Sequence, residues 1–195
     1  MTTCLSIDEI AADRGLLDRE KIRDCLYRYS QGADRCDTEM MKSAYWPDAT
    51  DTHGAFDGNA MDFVDRTIPF IRSMEQVSHL LGNILIRIEG TTAKVESYLH
   101  AFHSLKGEAG EPYDIVLGAR FLDRMEKRDD EWRISKRIVV CDWVREYPDA
   151  GDLKKGMFGQ QVPIGGRVPE DHVYTWLGME PGAGGKTGGG AAPEL

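Results

Sequence analysis

The segment YRYSQGADRCD (residues 27–37) decides how the rest of the chain is interpreted. It reads as the end of an amphipathic helix, because its apolar residues and those just before it recur at steps of three and four. These residues are Ile22, Cys25, Leu26, Tyr29 and Ala33. Asp34 falls at the edge of that apolar face. A carboxylate in this place either caps the next helix or points into the cavity that the face covers.

A histidine further along the chain is the partner that we predict for Asp34. His79 opens a long apolar strand that begins near Val77, and no other histidine does so. We predict that Asp34 and His79 form a pair in which the imidazole accepts a proton near neutral pH. The carboxylate would fix the tautomer and stabilise the imidazolium that forms. The alternative is that Asp34 only caps a helix and His79 only begins a strand.

The bulk composition fits a soluble, single-domain protein with extensions. The chain has 195 residues, of which 41% are hydrophobic and 29% charged, and its formal net charge is -9. That acidic balance argues against nucleic acid and anionic membrane surfaces as partners. No apolar run could span a membrane, no secretory signal is expected, and the four cysteines show no paired spacing. We therefore expect a cytoplasmic protein with reduced thiols.

The order of periodic segments indicates an α+β fold. The predicted helices are 7–14 (capped by Ser6 and ended by Gly15), 17–33, 38–45 and a helix that Asn59 caps and that contains Pro69. A short strand is predicted at 48–53, with a turn region at 54–58. Four long strands follow at 77–89, 93–106, 113–127 and 131–144. A curved, mostly antiparallel sheet folded over its helices leaves a pocket on its concave side.

We expect three parts along the chain. Residues 1–148 form the α+β domain. Residues 149–180 are rich in Gly and Pro but keep enough apolar side chains to pack on the domain or on a neighbouring subunit. Residues 181–195 are dominated by glycine and are expected to form a flexible tail.

Strand alternation supplies further candidate residues. In the fourth long strand one face carries Arg133, Ser135 and Arg137, and the other carries Trp132, Ile134 and Ile138. Arg137 is expected to point into the pocket, whereas Arg133 is a solvated edge cation. Tyr29 is either part of the core or a catalytic hydroxyl. Asn83 shares strand parity with His79, and it either binds a substrate oxygen or marks a bulge.

Metal and nucleotide sites are not indicated. His100 and His103 are three residues apart on a strand and so face opposite sides, with no cysteine or carboxylate cluster to support them. The glycine-rich phosphate-binding motifs and the Gly-x-Ser-x-Gly elbow are absent. We predict no metal and no cofactor. We predict that Asn83, Tyr45 and His100 bind the substrate.

Several of these segments resemble the SnoaL-like branch of the nuclear transport factor 2-like superfamily, over about residues 7–143. The resemblance rests on the helix that carries Tyr29 and Asp34, and on SHLLGN (78–83), EGTTA (89–93) and WRISKR (132–137). It implies a cone-shaped α+β barrel around an apolar pocket. The branch includes scytalone dehydratase, hexachlorocyclohexane dehydrochlorinase and bile-acid 7α-dehydratase, which are cofactor-free lyases with an Asp-His dyad.

The resemblance implies a cofactor-independent lyase, a dehydratase or a dehydrohalogenase, that acts on a small apolar cyclic substrate. Asp34 and His79 match the dyad of the family, in which the histidine removes a proton from carbon. Tyr29 matches a family tyrosine by its spacing from Asp34, and Arg137 matches a pocket arginine. Both would stabilise the leaving group or a developing enolate. The alternatives are a proton-shuttling isomerase or cyclase, of the ketosteroid-isomerase or polyketide-cyclase kind, and a non-catalytic ligand-binding protein.

We also expect a homodimer or a homotrimer. The helices can cover one side of a curved sheet, so the other side would expose an apolar patch. The patch is expected to include Leu117, Phe121, Ile134 and Ile138. Packing copies of the chain through this patch would bury it.

Overall fold

The structure, a computed structural model, describes residues 7–107, 109–148 and 165–182. Its helices are α1 (Ile7–Arg35), α2 (Thr38–Ser43), α3 (Ala60–Ser73) and α4 (His172–Leu177). Its strands are β1 (Tyr45–His53), β2 (Phe56–Asn59), β3 (Gln76–Glu89), β4 (Thr92–Lys106), β5 (Pro112–Arg128) and β6 (Glu131–Tyr147). The predicted α+β class is confirmed, and each of the long strands lies within a few residues of its predicted place.

The six strands form one sheet in the order β2-β1-β6-β5-β4-β3. Neighbouring strands are antiparallel except β1 and β6, which run parallel. The sheet is curved but does not close, so β2 and β3 are its two edge strands. The predicted arrangement, with helices in the concavity of a curved, mostly antiparallel sheet, is therefore confirmed. The sheet does not close into a barrel.

Helices α1 and α3 fill the concave side of the sheet with apolar side chains. The apolar face predicted for α1 is buried, since its five residues are at most 3% exposed. From α3 the core receives Phe63, Val64, Ile68 and Ile71. Burying one large aliphatic or aromatic side chain stabilises a fold by roughly 1.5–3 kcal/mol. The amphipathic pattern of these two helices therefore decides which side of the sheet is covered.

One long helix replaces the two short N-terminal helices that the sequence predicted. Helix α1 runs through Gly15 to Arg35 without a break. A glycine inside a helix costs only about 1 kcal/mol relative to alanine, so it does not end a helix by itself. The helix ends where Cys36 adopts a left-handed backbone, with φ of 54°, and turns the chain into α2. None of the described helices is long and apolar enough to cross a membrane.

The chain between α2 and α3 is more extended than predicted. Tyr45 begins β1 instead of ending a helix, because it is paired with Ile134 of β6. The Ile134 N–H also donates to the Ala44 carbonyl at 2.9 Å. The turn region predicted at 54–58 contains β2, which forms a hairpin with β1. Gly54 occupies the left-handed region at this turn, with φ of 60°, which glycine adopts without strain.

A β-bulge in β6 changes which of its side chains face the helices. The pairing of β6 with β5 skips Ser135, which is an extra residue in the strand. Beyond it the alternation is inverted, so Arg137 is fully buried on the face of Trp132 and Ile138 is exposed. The prediction that Arg137 shares a face with Ser135, and Ile138 with Trp132, is therefore wrong.

The apolar patch predicted to join copies of the chain is composed differently in the structure. Phe121 and Ile134 belong to the core, and Leu117 packs against the core from the same face. Only Ile138 among the four is exposed. Other large apolar side chains exposed on the sheet include Leu80, Leu85, Tyr98 and Trp143. The homo-oligomer stays a prediction, and its predicted contact residues are corrected.

Candidate functional site

Asp34 and His79, called the dyad below, meet on the concave side of the sheet. Asp34 lies in the last turn of α1, and His79 lies near the start of β3. His79 Nδ1 is 2.6 Å from Asp34 Oδ1, and the His79 backbone N–H donates to Asp34 Oδ2 at 3.1 Å. Both carboxylate oxygens therefore hold the same residue. The side chains of His79 and Asp34 are 12% and 13% exposed, so the dyad is shielded but still reachable.

The Asp34 carboxylate determines which ring nitrogen of His79 carries the hydrogen. An acceptor beside Nδ1 favours the tautomer that carries its hydrogen on that nitrogen. Nε2 then carries the lone pair, and no hydrogen bond within the described residues engages it. The dyad is therefore arranged to accept a proton at Nε2 while Asp34 stabilises the imidazolium.

A second histidine lies beside the dyad, and the sequence analysis did not select it. The ring centroid of His103 is 5.5 Å from that of His79. His103 lies on the inward face of β4, two residues beyond Ala101, which pairs directly with His79. Burial, and then the charge of His79, lowers the pKa of His103 to about 4, although Asp34 acts in the opposite direction. His103 is thus neutral at physiological pH and available as a hydrogen-bonding group.

The end of α1 that carries Asp34 is held by residues from much later in the chain. Arg167 Nη1 donates to the Asp34 carbonyl at 2.8 Å, and Arg167 Nη2 donates to two carbonyls at the end of α3. The Val168 N–H donates to the Arg35 carbonyl at 2.8 Å. The last carbonyls of a helix have no partner within it, so these bonds satisfy groups that would otherwise need water.

Residues 165–182 include most of what the structure describes of the predicted C-terminal extension. They lie against the junction of α1 and α2, where Asp37 caps α2 and accepts a hydrogen bond from the Tyr174 hydroxyl at 3.1 Å. The apolar residues between 157 and 162, and the predicted tail beyond residue 182, lie outside the described residues. The division of the chain into three parts stays a prediction.

Arg137 lies in a second polar cluster, separate from the dyad. Its Nε and Nη2 each donate to Asp123 at 2.7 Å, and both side chains are fully buried. The guanidinium packs against the rings of Tyr29 and Phe121, at 4.1 and 3.9 Å from their centroids. Its remaining nitrogen, Nη1, has no hydrogen-bond partner. The sequence predicted that Arg137 points into the pocket, and in the structure its side chain faces inward but is fully buried and paired with Asp123.

Tyr29 and Tyr45 belong to this second cluster. Tyr29 is buried and packs edge-on against Tyr45, whose hydroxyl donates to Asp51. Burial raises the pKa of both tyrosines, although the charge of Arg137 opposes the shift. No hydrogen bond in the described part of the chain joins either tyrosine, or Arg137, to the dyad. The structure thus divides the four predicted catalytic residues between two clusters.

A third histidine, His53, faces the concave side from β1. Its ring stacks on Phe63 of α3, with a centroid distance of 4.6 Å and an interplanar angle of 19°. Burial, and then the charges of Arg137 and of the two histidines already described, lowers the pKa of His53 to about 4. The sequence analysis gave His53 no role. Across the ranges that the structure covers, no group of three or more His, Cys, Asp and Glu side chains could hold a metal ion.

Two residues predicted to bind substrate lie away from the concave side. His100 is exposed on the outer face of the sheet, beside the ring of Trp143, because alternation along β4 turns it away from the helices. Asn83 is exposed in a β-bulge of β3. The extra residue in that bulge breaks the parity that linked Asn83 to His79. The bulge was the alternative that the sequence left open for Asn83.

Histidines with depressed pKa values make the stability of this fold depend on pH. His53 and His103 have pKa values of about 4 in the folded protein, against an ordinary value of 6.5. Between these values the unfolded chain binds more protons, so the free energy of unfolding decreases as the pH falls. We expect His53→Phe and His103→Phe each to lose less stability than the wild type in this window, measured by urea unfolding. His100→Phe is the control, and wild-type pH slopes in both variants would contradict the expectation.

Comparison with known proteins relates this geometry to a described domain. Residues 14–138 match the family model of the SnoaL-like domain. Among curated proteins, an uncharacterised protein of Mycobacterium tuberculosis (strain ATCC 25618 / H37Rv) is 27% identical over 142 residues. That match covers 69% of this chain and 88% of the relative.

Solved structures share the fold at low sequence identity. A scytalone dehydratase-like protein from Novosphingobium aromaticivorans DSM 12444 has a TM-score of 0.62 at 20% identity, over 81% of this chain and 97% of that one. The hexachlorocyclohexane dehydrochlorinase LinA-type3 from Novosphingobium barchaimii LL02 has a TM-score of 0.60 at 20% identity, over 70% of this chain and 93% of that one. At these identities the likeness shows the fold.

Proposed function

This chain belongs to the SnoaL-like domain family, as its sequence predicted, and we propose that it is a cofactor-independent lyase. It would remove water or a halide from a small apolar cyclic substrate. The family, and the dehydratase and dehydrochlorinase named among its structural neighbours, support chemistry of the lyase or isomerase kind. The observation that carries the proposal is the hydrogen bond between Asp34 and His79 on the concave side of the sheet.

In the proposed elimination, His79 acts as the general base. Nε2 takes a proton from a substrate carbon, and the electrons of that C–H bond form a carbon–carbon double bond while the bond to the leaving oxygen or halide breaks. A halide leaves as the anion, and a leaving hydroxide takes the proton from His79 and departs as water. Asp34 stabilises the imidazolium through Nδ1, where the two side chains are 2.6 Å apart. A carbonyl next to the reacting carbon, or a good leaving group, makes the C–H acidic enough for an imidazole.

The leaving oxygen or halide needs a hydrogen-bond donor, and the structure favours a different residue for this role than the sequence did. Tyr29 and Arg137 were assigned this role from the sequence, but both lie in the buried second cluster, and Arg137 is neutralised by Asp123. We therefore propose His103, which is neutral and lies next to His79, as the hydrogen-bond donor to the leaving atom. In this proposal Tyr29 and Arg137 support the cavity wall.

The proposal is tested by screening cyclic alcohols, ketones and halides in D2O. A lyase releases water or halide and forms an alkene, which is followed by ultraviolet absorbance, halide release and NMR. Deuterium exchange at a substrate carbon without loss of a group identifies an isomerase or cyclase instead. Binding with no exchange identifies a ligand-binding protein. Either of these last two results overturns the lyase assignment.

Asp34→Asn is expected to lower kcat on the order of a hundredfold on any substrate that the screen finds. The amide keeps the shape of the side chain, but it cannot stabilise the imidazolium and it favours the wrong tautomer of His79. The matched control is Asp24→Asn, on the exposed face of the same helix. A variant that raised KM and left kcat unchanged would show that Asp34 binds substrate and does not assist the base.

A further inference from the structure

His53 lies on the concave side of the sheet, on a strand distant from the one that carries His79. In the sheet order, β1 is separated from β3 by β6, β5 and β4. Even so, His53 has the strand parity of Ala49 and Asp51, which are buried on the concave face of β1, and its ring stacks on Phe63 of α3. His53 therefore faces the same concave side of the curved sheet as the dyad.

The surroundings of His53 hold its ring plane and favour one tautomer. The stacking on Phe63 holds the ring in place. Nδ1 is buried without a hydrogen-bond partner, and it lies 3.8 Å from Asp51 Oδ1, which also has none. That distance is too long for a hydrogen bond, but the carboxylate still favours the hydrogen on Nδ1. Nε2 is then left as a hydrogen-bond acceptor.

The other roles open to a histidine fit these facts poorly. A core histidine would be fully buried, whereas the side chain of His53 is 34% exposed. A general base at neutral pH would need a pKa close to 7, and burial keeps the pKa of His53 at about 4. What remains is a neutral, rigid acceptor with one accessible nitrogen, which is the kind of group that orients a ligand in an apolar pocket.

We propose that His53 is a substrate-binding residue whose Nε2 accepts a hydrogen bond from a hydroxyl or amino substituent of the cyclic substrate. The substituent lies on the side of the ring away from the carbon that His79 deprotonates. This inference rests on the proposed function and sharpens it. A fully halogenated or unsubstituted hydrocarbon ring has no donor for His53, so the favoured substrates are cyclic compounds with a donor substituent.

Matched ligands test the inference without turnover. The probes are 1-indanone, its 5- and 6-hydroxy derivatives, and the corresponding methoxy derivatives, which have similar shape but cannot donate. We expect at least one hydroxy compound to bind the wild type about tenfold more tightly than its methoxy partner and the parent, as one satisfied hydrogen bond in a shielded site allows. Calorimetry measures the dissociation constants.

The preference should disappear in His53→Phe and persist in His100→Phe, whose histidine lies on the outer face. If His53→Phe does not fold, NMR of wild-type protein labelled with ¹⁵N at histidine replaces it, because accepting a hydrogen bond shifts the Nε2 resonance of His53. Equal binding of hydroxy and methoxy compounds, or an unchanged Nε2 resonance, overturns the inference. Donor recognition without any elimination refutes the proposed function alone, and elimination without donor recognition refutes this inference alone.

Discussion

Replacing His79 with alanine is expected to lower kcat by on the order of a hundredfold to ten-thousandfold, because it removes the group that we propose takes the proton from substrate carbon. The fold should persist, since His79 lies on the edge strand β3 and its side chain packs without being fully enclosed. The measurement is the rate of alkene formation and of deuterium exchange, with circular dichroism to verify folding.

The control for this substitution is His100→Ala, which removes an exposed histidine from the outer face of the same sheet. It should leave both rates unchanged. If the folded His79→Ala protein turned over at the wild-type rate, the dyad would have no part in the chemistry. The base would then have to be sought elsewhere on the concave side.

Asp123→Ala is expected to destabilise the protein by about 3–5 kcal/mol, because it leaves the fully buried guanidinium of Arg137 without its counter-charge. Two hydrogen bonds of 2.7 Å are lost at the same time. Urea unfolding measures the effect. A loss of this size is a large share of the stability of an ordinary domain, so the variant could be recovered mainly as unfolded protein.

The outer face of the sheet offers a matched pair as the control. Arg120 makes two hydrogen bonds of 2.9 Å to Asp142, in the same two-pronged geometry, but these side chains are partly exposed. Asp142→Ala should destabilise the protein far less than Asp123→Ala, because ion pairs near solvent contribute little to stability. Comparable losses of stability in the two variants would show that burial does not determine how much the pair of Arg137 and Asp123 contributes to the free energy of unfolding.

The sequence predicts those parts of the fold that depend on local periodicity. The apolar face of α1 and the four long strands could be read from steps of three, four and two residues. The extra residue at Ser135 could not, since a bulge leaves no mark in composition, yet it reverses the assignments that follow it, including that of Arg137. The sequence placed the end of α1 near Asp34. It also predicted a break at Gly15, which the helix does not have, because one glycine does not break a helix.

In the candidate site, too, some placements follow from local patterns and others do not. Asp34 and His79 could be paired because one closes a helix face and the other opens an apolar strand. His100 and His103 were correctly placed on opposite faces, but alternation does not say which face is concave. That choice depends on how the sheet curves over α1, so the histidine selected from the sequence, His100, is the one on the outer face. His53 faces the same concave side as the dyad although their strands lie far apart in the sheet, and no local pattern reports the curvature that relates them.

The bond from Arg167 to the Asp34 carbonyl makes the site depend on chain outside the family domain. The match to the SnoaL-like domain ends at residue 138, and Arg167 lies beyond it. The backbone of Asp34 is therefore held by a segment that the shared domain does not include. In the proposed lyase, exchanging this C-terminal segment would change how the dyad is held while leaving every residue of the SnoaL-like domain unchanged.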